Sequence, residues 1–289
     1  MILNASAHQI PLADKSIHAA ITSPPYFGLR KYHGAQDVAW PTGVYAPMTG
    51  CPPCIEVPAM RASLGNEPTI EAFIWHLLLV MRELKRVLRD DGVCWVNLGD
   101  SYSGSGKGGN PENSPFQKQA TNFGSLIAPT KLESEITGGN LLAIPHRFAL
   151  AAQADGWTLR NDCVWHKKSA MPESVSGWKF QDGQLRRGSW RHTRAHEYVF
   201  QFTKGMGYWS DSEIVKEAAA YDGRKDEQMK GSEKYAEGVV LNAGAHSFHA
   251  NGHERWKYRT EDGQRARNPR SVFSPSPSPY AGAHFATFP

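Results

Sequence analysis

Ser23-Pro24-Pro25-Tyr26 sets a hydroxyl, two prolines and an aromatic ring in four consecutive positions. Proline fixes φ, gives up its N–H and restricts the residue before it. The carbonyls of Ser23 and Pro24 are therefore held in a rigid, extended corner. A chain that only had to turn would more often use Gly, Asn or Asp. The corner instead offers fixed hydrogen-bond acceptors beside an aromatic face. Two plainer readings compete, a turn that merely ends a strand and a proline-rich docking segment. The first explains the prolines but neither the Ser nor the Tyr. The second needs an exposed segment, whereas an apolar run, Ile17 to Thr22, leads straight into this one.

The other chemistry-bearing spacings are thinner. Cys51-Pro-Pro-Cys54 has the spacing of half a zinc site, but no second pair accompanies it, and no metal site is expected. His246, His249 and His253 lie in a Gly/Asn-rich stretch that reads as a polar loop. Residues 104–109, GSGKGG, match G-x-G-x-x-G, yet Asn110-Pro111 follows where a phosphate cradle needs a helix. That segment reads as a flexible active-site loop. Pro53-Cys54 resembles the Pro-Cys nucleophile of enzymes that methylate the 5-carbon of cytosine. No buried strand leads into it and no Gln follows, so that reading is set aside.

The elements that must position the Ser-Pro-Pro-Tyr corner follow from periodicity. Ile17 to Thr22 reads as a buried strand. Residues 34–66 are Pro/Gly-rich and read as an irregular insertion. Ile70, Phe73, Ile74, Leu77, Leu78, Met81, Leu84, Val87 and Leu88 keep a 3.6-residue period, which predicts a helix from about Thr69 to Leu88. Asp91-Gly92 then turns the chain into a buried strand, Val93 to Leu98, that ends at Gly99-Asp100. A second helix starts at Pro145 and stops near Gly156. Strands from Trp157 to Trp165 and from Ala195 to Thr203 follow. Strand, helix, strand, helix, strand predicts an α/β sheet, largely parallel. Ligands of such sheets bind beyond the carboxyl ends of strands, so the Ser-Pro-Pro-Tyr corner and Gly99-Asp100 should face one crevice. Ser101 to Asn140 and Ser274 to Pro279 read as mobile loop and extended spacer.

Composition bounds the class. The 289 residues are 40% hydrophobic, enough for a real core. The formal charge is only +4, yet Arg160 to Lys204 alone carries nine Lys/Arg against four Asp/Glu. That stretch also holds Trp165, Trp178, Trp190, Tyr198, Phe200 and Phe202. Basic residues interleaved with aromatics suit a nucleic-acid surface; a solvated charged face explains the charge equally well. No apolar run reaches the roughly 20 residues that cross a bilayer. Four cysteines without a signal peptide fit a reducing cytoplasm, with Cys94 and Cys163 acting as small hydrophobes in strands.

"TSPPY" resembles the catalytic motif of the amino-group DNA methyltransferases, and "FGLRKY" continues it as in the cytosine-type branch. Matches follow in order: "LKRVLRDDGVCWVNLGDSY" at 84–102, "LLAIPHRFALAAQADGWTLRNDCVWHKKSAMPESV" at 141–175, "HEYVFQFTKGMGYWSD" at 196–211, "RNPRSVF" at 267–273 and "HFATFP" at 284–289. The resemblance spans nearly the whole chain, with gaps at 34–66, 103–140 and 212–264. It implies a partial Rossmann-like α/β sheet dependent on S-adenosylmethionine, in a permuted order with the catalytic half first. Residues 1–175 would form the catalytic half, 176–264 with strand 195–203 the target-recognition region, and 265–289 the start of the cofactor-binding half.

The resemblance also implies roles. Ser23, Pro24, Pro25 and Tyr26 would form the catalytic corner, the Ser23 hydroxyl and Pro24 carbonyl polarising an exocyclic amine. Tyr26 would stack on a base flipped out of double-stranded DNA, its ring and not its hydroxyl doing the work. His284, Phe285, Ala286, Thr287, Phe288 and Pro289, with Asp100, would bind S-adenosylmethionine. Lys167, Lys168, Arg186, Arg187, Arg191 and Arg194 would lie along DNA phosphate. Ser at the head of the motif favours the 4-amino group of cytosine; Asp is more usual for adenine, and Asn for RNA or protein substrates. The alternatives are an adenine 6-amino enzyme and a DNA-binding subunit without catalysis of its own. The setting implied is a bacterial or phage-encoded restriction–modification system in the cytoplasm. The glycine-rich Phe-x-Gly-Ser-Gly loop of the family does not occur by Pro289. A further C-terminal segment or a second polypeptide is therefore expected to complete the cofactor site, with little activity from residues 1–289 alone.

Overall fold

The computed structural model describes residues 3–28, 36–103, 136–168, 170, 177–188, 191–211, 215, 217–218, 266–267 and 269–274. The predicted His246–His253 cluster, the GSGKGG loop, the 275–279 spacer and residues 284–289 lie outside them.

Thr69 starts the long helix because its side chain accepts from the Ala72 N–H at 3.1 Å, satisfying one of the donors a first turn leaves open. Helix α1 (Ile70–Val87) has Glu71 in its first turn and Lys85 and Arg86 in its last, each sign matching its end of the helix dipole. Its stripe of Phe73, Ile74, Leu77, Leu78 and Met81 is buried as the periodicity predicts. Each such side chain contributes about 1.5–3 kcal/mol on leaving water. Helix α2 (Ile144–Ala154) adds Phe148, Ala151 and Ala152 to the same core.

One five-stranded sheet positions the candidate residues. Its strands are β1 (Ile17–Thr22), β6 (Leu88–Leu98), β10 (His196–Thr203), β7 (Thr158–His166) and β13 (Val272–Phe273), in that spatial order. β1 pairs with β6 in parallel and β13 with β7 in parallel, but β10 runs antiparallel to both neighbours. The sheet is therefore mixed where a largely parallel one is expected. No helix among the described residues connects β7 to β10, and without a helical crossover the chain returns antiparallel. Strand β1 also departs from expectation. It is half-exposed, with Ile21 at 69%, because among the described residues it is paired on one side only. The Asp91-Gly92 turn is absorbed as an irregularity inside β6: Ile17 faces Leu88, while Ala19 already faces Val93.

The insertion is more ordered than its composition indicates. β2 (Val38–Trp40) pairs with β5 (Met60–Ala62), and β3 (Gly43–Tyr45) pairs with β4 (Ile55–Val57), both antiparallel. Strands of three residues are too short to leave a period in the sequence. A Cβ on Gly43 would fall 1.9 Å from the Trp75 ring, so the ring of α1 rests directly on β3. β8 (Gly177–Gln181) and β9 (Gln184–Gly188) form a further hairpin within the basic stretch.

The chain divides into two units, Met1–Trp209 with Ser271–Pro289, and Ser210–Arg270. Strand 195–203, expected in the target-recognition region, is the middle strand of the main sheet instead. Its alternation of Tyr198, Phe200 and Phe202 is core packing, with Phe148 5.8 Å from Phe202 edge-on. In the second unit, β11 (Glu217–Ala218) pairs antiparallel with β12 (Ala266–Arg267). No helix among the described residues is long and apolar enough to cross a membrane.

Candidate active site

The Ser-Pro-Pro-Tyr corner leaves β1 at its carboxyl end and is gripped from behind by a glycine turn. Gly65 has φ +91°, and a Cβ there would stand 3.0 Å from Pro25 Cβ and 3.0 Å from the Tyr26 carbonyl oxygen. The Gly28 N–H donates to the Gly65 carbonyl at 2.9 Å, closing the chain after the corner onto this turn. The Gly65 N–H donates in turn to Glu67 Oε2 at 2.8 Å. Glu67 Oε1 lies 2.8 Å from His76 Nδ1, and the His76 ring stacks on Trp40 at 4.2 Å. Among the described residues neither the Ser23 hydroxyl nor the Pro24 carbonyl takes a hydrogen bond.

Tyr26 is fixed on the other side of the corner. Its hydroxyl donates to Glu197 Oε2 at 2.8 Å and accepts from Asn97 Nδ2 at 3.0 Å. Asn97 Nδ2 also reaches Glu197 Oε2 at 3.0 Å, closing a three-membered ring of contacts. Lys167 forms an ion pair with Glu197 Oε1. The edge of the Tyr26 ring lies against Gly99, where a Cβ would fall 2.5 Å from Cε2. Ser23 and Tyr26 follow β1, Asn97 and Gly99 end β6, and Glu197 begins β10. The carboxyl ends of two strands and the amino end of a third thus converge on the Tyr26 hydroxyl.

Asp100 is turned into the protein. Its Oδ1 accepts from the Ser101 N–H at 2.9 Å and from the Ile144 N–H at 3.0 Å. Ala143, at the start of α2, sits at φ 55° and supplies no side-chain cap, so Asp100 supplies the acceptor for that helix end. Its Oδ2 is buried without a hydrogen-bond partner, 3.6 Å from Arg194 Nη2. Arg191 lies over the Tyr102 ring at 3.3 Å, and Ser101 Oγ donates to the Phe27 carbonyl at 3.2 Å. His196 has its pKa pushed down, first by burial and then by the positive charge of Arg194 and by His146. Cys94, in the middle of β6, is a buried hydrophobe whose thiol is pushed up to about 12 by desolvation.

The sequence-derived residues therefore separate. Ser23, Pro24, Pro25 and Tyr26 form one corner, and Asp100 lies beside it through Gly99 and Ser101. Of the six basic residues expected along DNA, Lys167, Arg191 and Arg194 are engaged at this end of the sheet. Lys168 is exposed, and so is Arg186 on β9; the side chain of Arg187 lies outside the described residues, as do 284–289. Sequence reasoning missed Asn97 and Glu197 as site residues. The available signal was polarity out of place: an Asn inside the apolar run 93–98, and a Glu next to the aromatic alternation of β10.

Comparison with known proteins supplies the family. Residues 17–289 match a family model described as DNA methylase. The chain is 31% identical over 278 residues to the type II methyltransferase M.Cfr9I of Citrobacter freundii, covering 96% of this chain and 64% of the relative. It is 30% identical over 278 residues to the type II methyltransferase M.XycI of Xanthomonas campestris pv. cyanopsidis, again with 96% and 64% covered. The structure titled PvuII DNA methyltransferase (cytosine-N4-specific) aligns with 78% of this chain and 58% of that one, at 14% identity and a TM-score of 0.37. The chain thus spans somewhat less than two thirds of the length of the curated relatives it matches.

Proposed function

Because the chain belongs to the DNA methylase family, we propose that it carries the catalytic half of a site-specific DNA methyltransferase acting on the 4-amino group of cytosine. The observation that carries the reading is a pair of acceptors, the Ser23 hydroxyl and the Pro24 carbonyl, that take no hydrogen bond among the described residues and are held rigid beside Tyr26. S-adenosylmethionine, the cofactor of this family, supplies an electrophilic methyl group when bound. An exocyclic amine is a poor nucleophile, because its lone pair is delocalised into the base. Two acceptors aimed at its hydrogens localise that pair, and the prolines keep them still before the reaction starts. What remains is alignment. The nitrogen would take the methyl group as the sulfonium S–CH3 bond breaks, S-adenosylhomocysteine being the leaving group, and the amine would give up one proton to water.

Asp100, whose buried Oδ2 has no hydrogen-bond partner and lies 3.6 Å from Arg194 Nη2, is proposed as the described residue on the cofactor side of the site. His284 to Pro289 would also bind S-adenosylmethionine, as the order of the family's motifs implies. Tyr26 stacks on the flipped base, and the exposed Lys168 and Arg186 meet phosphate. A Ser at the head of the corner supports cytosine over adenine, and the type II relatives support a role in site-specific modification.

The test is tritium transfer from S-adenosylmethionine to unmethylated genomic duplex DNA by the full-length polypeptide that carries these residues. The labelled nucleosides are then separated by chromatography. N4-methylcytosine is expected. N6-methyladenine alone would move the substrate to adenine, and label in RNA or protein but not DNA would sink the reading. Ser23→Ala should lower the single-turnover rate far more than DNA affinity, because the hydroxyl acts mainly in the transition state.

A further inference from the structure

Tyr26 is anchored by its hydroxyl, and the anchor comes from two other strands. Glu197 is 171 positions from Tyr26 in sequence and Asn97 is 71. Asn97 is 3% exposed and the Glu197 side chain 12%, so both polar groups have been taken almost wholly out of water. Placing a carboxylate and an amide there costs free energy unless every contact is used. Here the Asn97 Nδ2 and Glu197 Oε2 contacts converge on one phenol oxygen, while Asn97 Oδ1 stays buried without a hydrogen-bond partner, so part of that cost is left uncompensated. The Asn97 amide donates to it, and the Glu197 carboxylate accepts from it. Lys167 balances the carboxylate's charge from the opposite oxygen, and its backbone N–H donates to the Ala195 carbonyl at 2.7 Å, tying β7 to the residue just before β10.

Core stability does not explain this arrangement. A Phe at position 26 against apolar residues at 97 and 197 would fill similar volume without burying a charge. What the polar set adds is direction. A phenol ring held at its far end by two strands, with its Cδ2–Cε2 edge against Gly99, has one orientation. We propose that Asn97 and Glu197 are positioning residues, which fix the Tyr26 ring in the plane that receives the flipped base. The inference rests on the methyl-transfer reading above. It also assigns the Tyr26 hydroxyl a task that stacking alone does not require.

The test combines kinetics with a direct view of the ring. Methyl transfer to unmethylated genomic duplex DNA is measured with the full-length polypeptide as parent and as Glu197→Ala, Glu197→Gln, Asn97→Ala, Tyr26→Phe and the Glu197→Ala/Tyr26→Phe double variant. Tyrosine labelled with 13C at Cζ reports the phenol of position 26, assigned by its disappearance in Tyr26→Phe. Glu197→Ala should lower kcat on the order of 100-fold, the scale of a misplaced reacting group, with KM for DNA near the parent value. Glu197→Gln should recover most of the loss, since its amide oxygen still accepts from the phenol. Tyr26→Phe should match Glu197→Ala, and the double variant should be no worse than either alone. The Cζ resonance should move in Glu197→Ala and Asn97→Ala. If Glu197→Ala does not fold, Tyr26→Phe, which removes a single oxygen, carries the test by itself. A parent-like kcat in Tyr26→Phe, additive losses in the double variant, or an unmoved Cζ resonance would each overturn the inference alone. A parent that transfers no methyl group to DNA would overturn the methyl-transfer reading and this inference with it.

Discussion

Glu67 Oε1 and His76 Nδ1 meet 2.8 Å apart with neither side chain exposed. The same carboxylate holds the Gly65 N–H, and Gly65 braces Pro25. The pair therefore links the interior of α1 to the back of the Ser-Pro-Pro-Tyr corner. Glu67→Ala leaves a buried imidazole N–H and a buried backbone N–H without acceptors, and should cost about 3–5 kcal/mol of stability, the range for breaking one side of a buried pair. Glu67→Gln keeps one acceptor and should cost less. Denaturant unfolding of both variants measures this. Equal losses would mean that charge, and not hydrogen-bond satisfaction, sets the cost.

Gly99 is the floor of the Tyr26 site. A methyl group there would fall 2.5 Å from Cε2 and 2.9 Å from Cδ2 of the ring, closer than carbon atoms approach. The ring is held at its hydroxyl and cannot retreat freely. Gly99→Ala should therefore lower the single-turnover methyl-transfer rate on the order of 100-fold. Thermal unfolding should change by far less than that rate loss implies, because the strain is local. If the rate is kept and only stability falls, the ring's placement does not matter to the chemistry.

Much of this scaffold was legible in sequence because it is local. The α1 stripe, the strand that runs into Ser23 and the helix opening at Pro145 are all encoded within windows of a few turns. The corner itself was legible because two prolines restrict their own backbone wherever they stand. What stayed hidden is long-range. Nothing near Tyr26 announces Glu197 or Asn97, since three strands must pair before these side chains meet. The direction of β10 was also hidden, because alternating aromatics fit parallel and antiparallel neighbours alike. The partners of the basic stretch were hidden for the same reason. Charge was counted correctly, but Asp100 and Tyr102, the partners that draw Arg194 and Arg191 inward, come from the end of β6 and the loop just beyond it.

That division changes the expected salt dependence of DNA binding. An exposed Arg186 that neutralises one phosphate contributes about 0.9 to the slope of log K against log salt. Arg186→Gln should flatten the slope by about that amount. Arg194 sits beside a fully buried Asp100 carboxylate at 3.6 Å. Arg194→Gln should instead destabilise the fold, because a buried charge loses its counter-ion, and should hardly alter the slope. Titrations of duplex DNA at several salt concentrations, paired with denaturant unfolding, separate the two. A flattened slope in Arg194→Gln would put that guanidinium on DNA after all.

His196 gives the protein a pH response of definite sign. Its ring lies edge-on to Tyr198 at 5.3 Å, and burial, Arg194 and His146 all disfavour its protonated form. The folded chain thus binds this proton more weakly than the unfolded chain, whose histidines titrate near 6.5. Above that value both states are neutral and stability is complete. As pH falls from about 6.5 toward the depressed folded value, the unfolded state takes up the proton first and stability is lost. The carboxylates with lowered values, Glu83, Asp90 and Asp91, start from 4.5, 3.8 and 3.8 and titrate below this window. The free energy of unfolding should therefore begin to fall just below pH 6.5, before any of them contributes. His196→Gln, which cannot take up the proton, should remove that first part of the decline and leave the loss at lower pH intact. Urea unfolding of both proteins from pH 8 to pH 4 measures it. Superimposable curves would assign the decline to other groups.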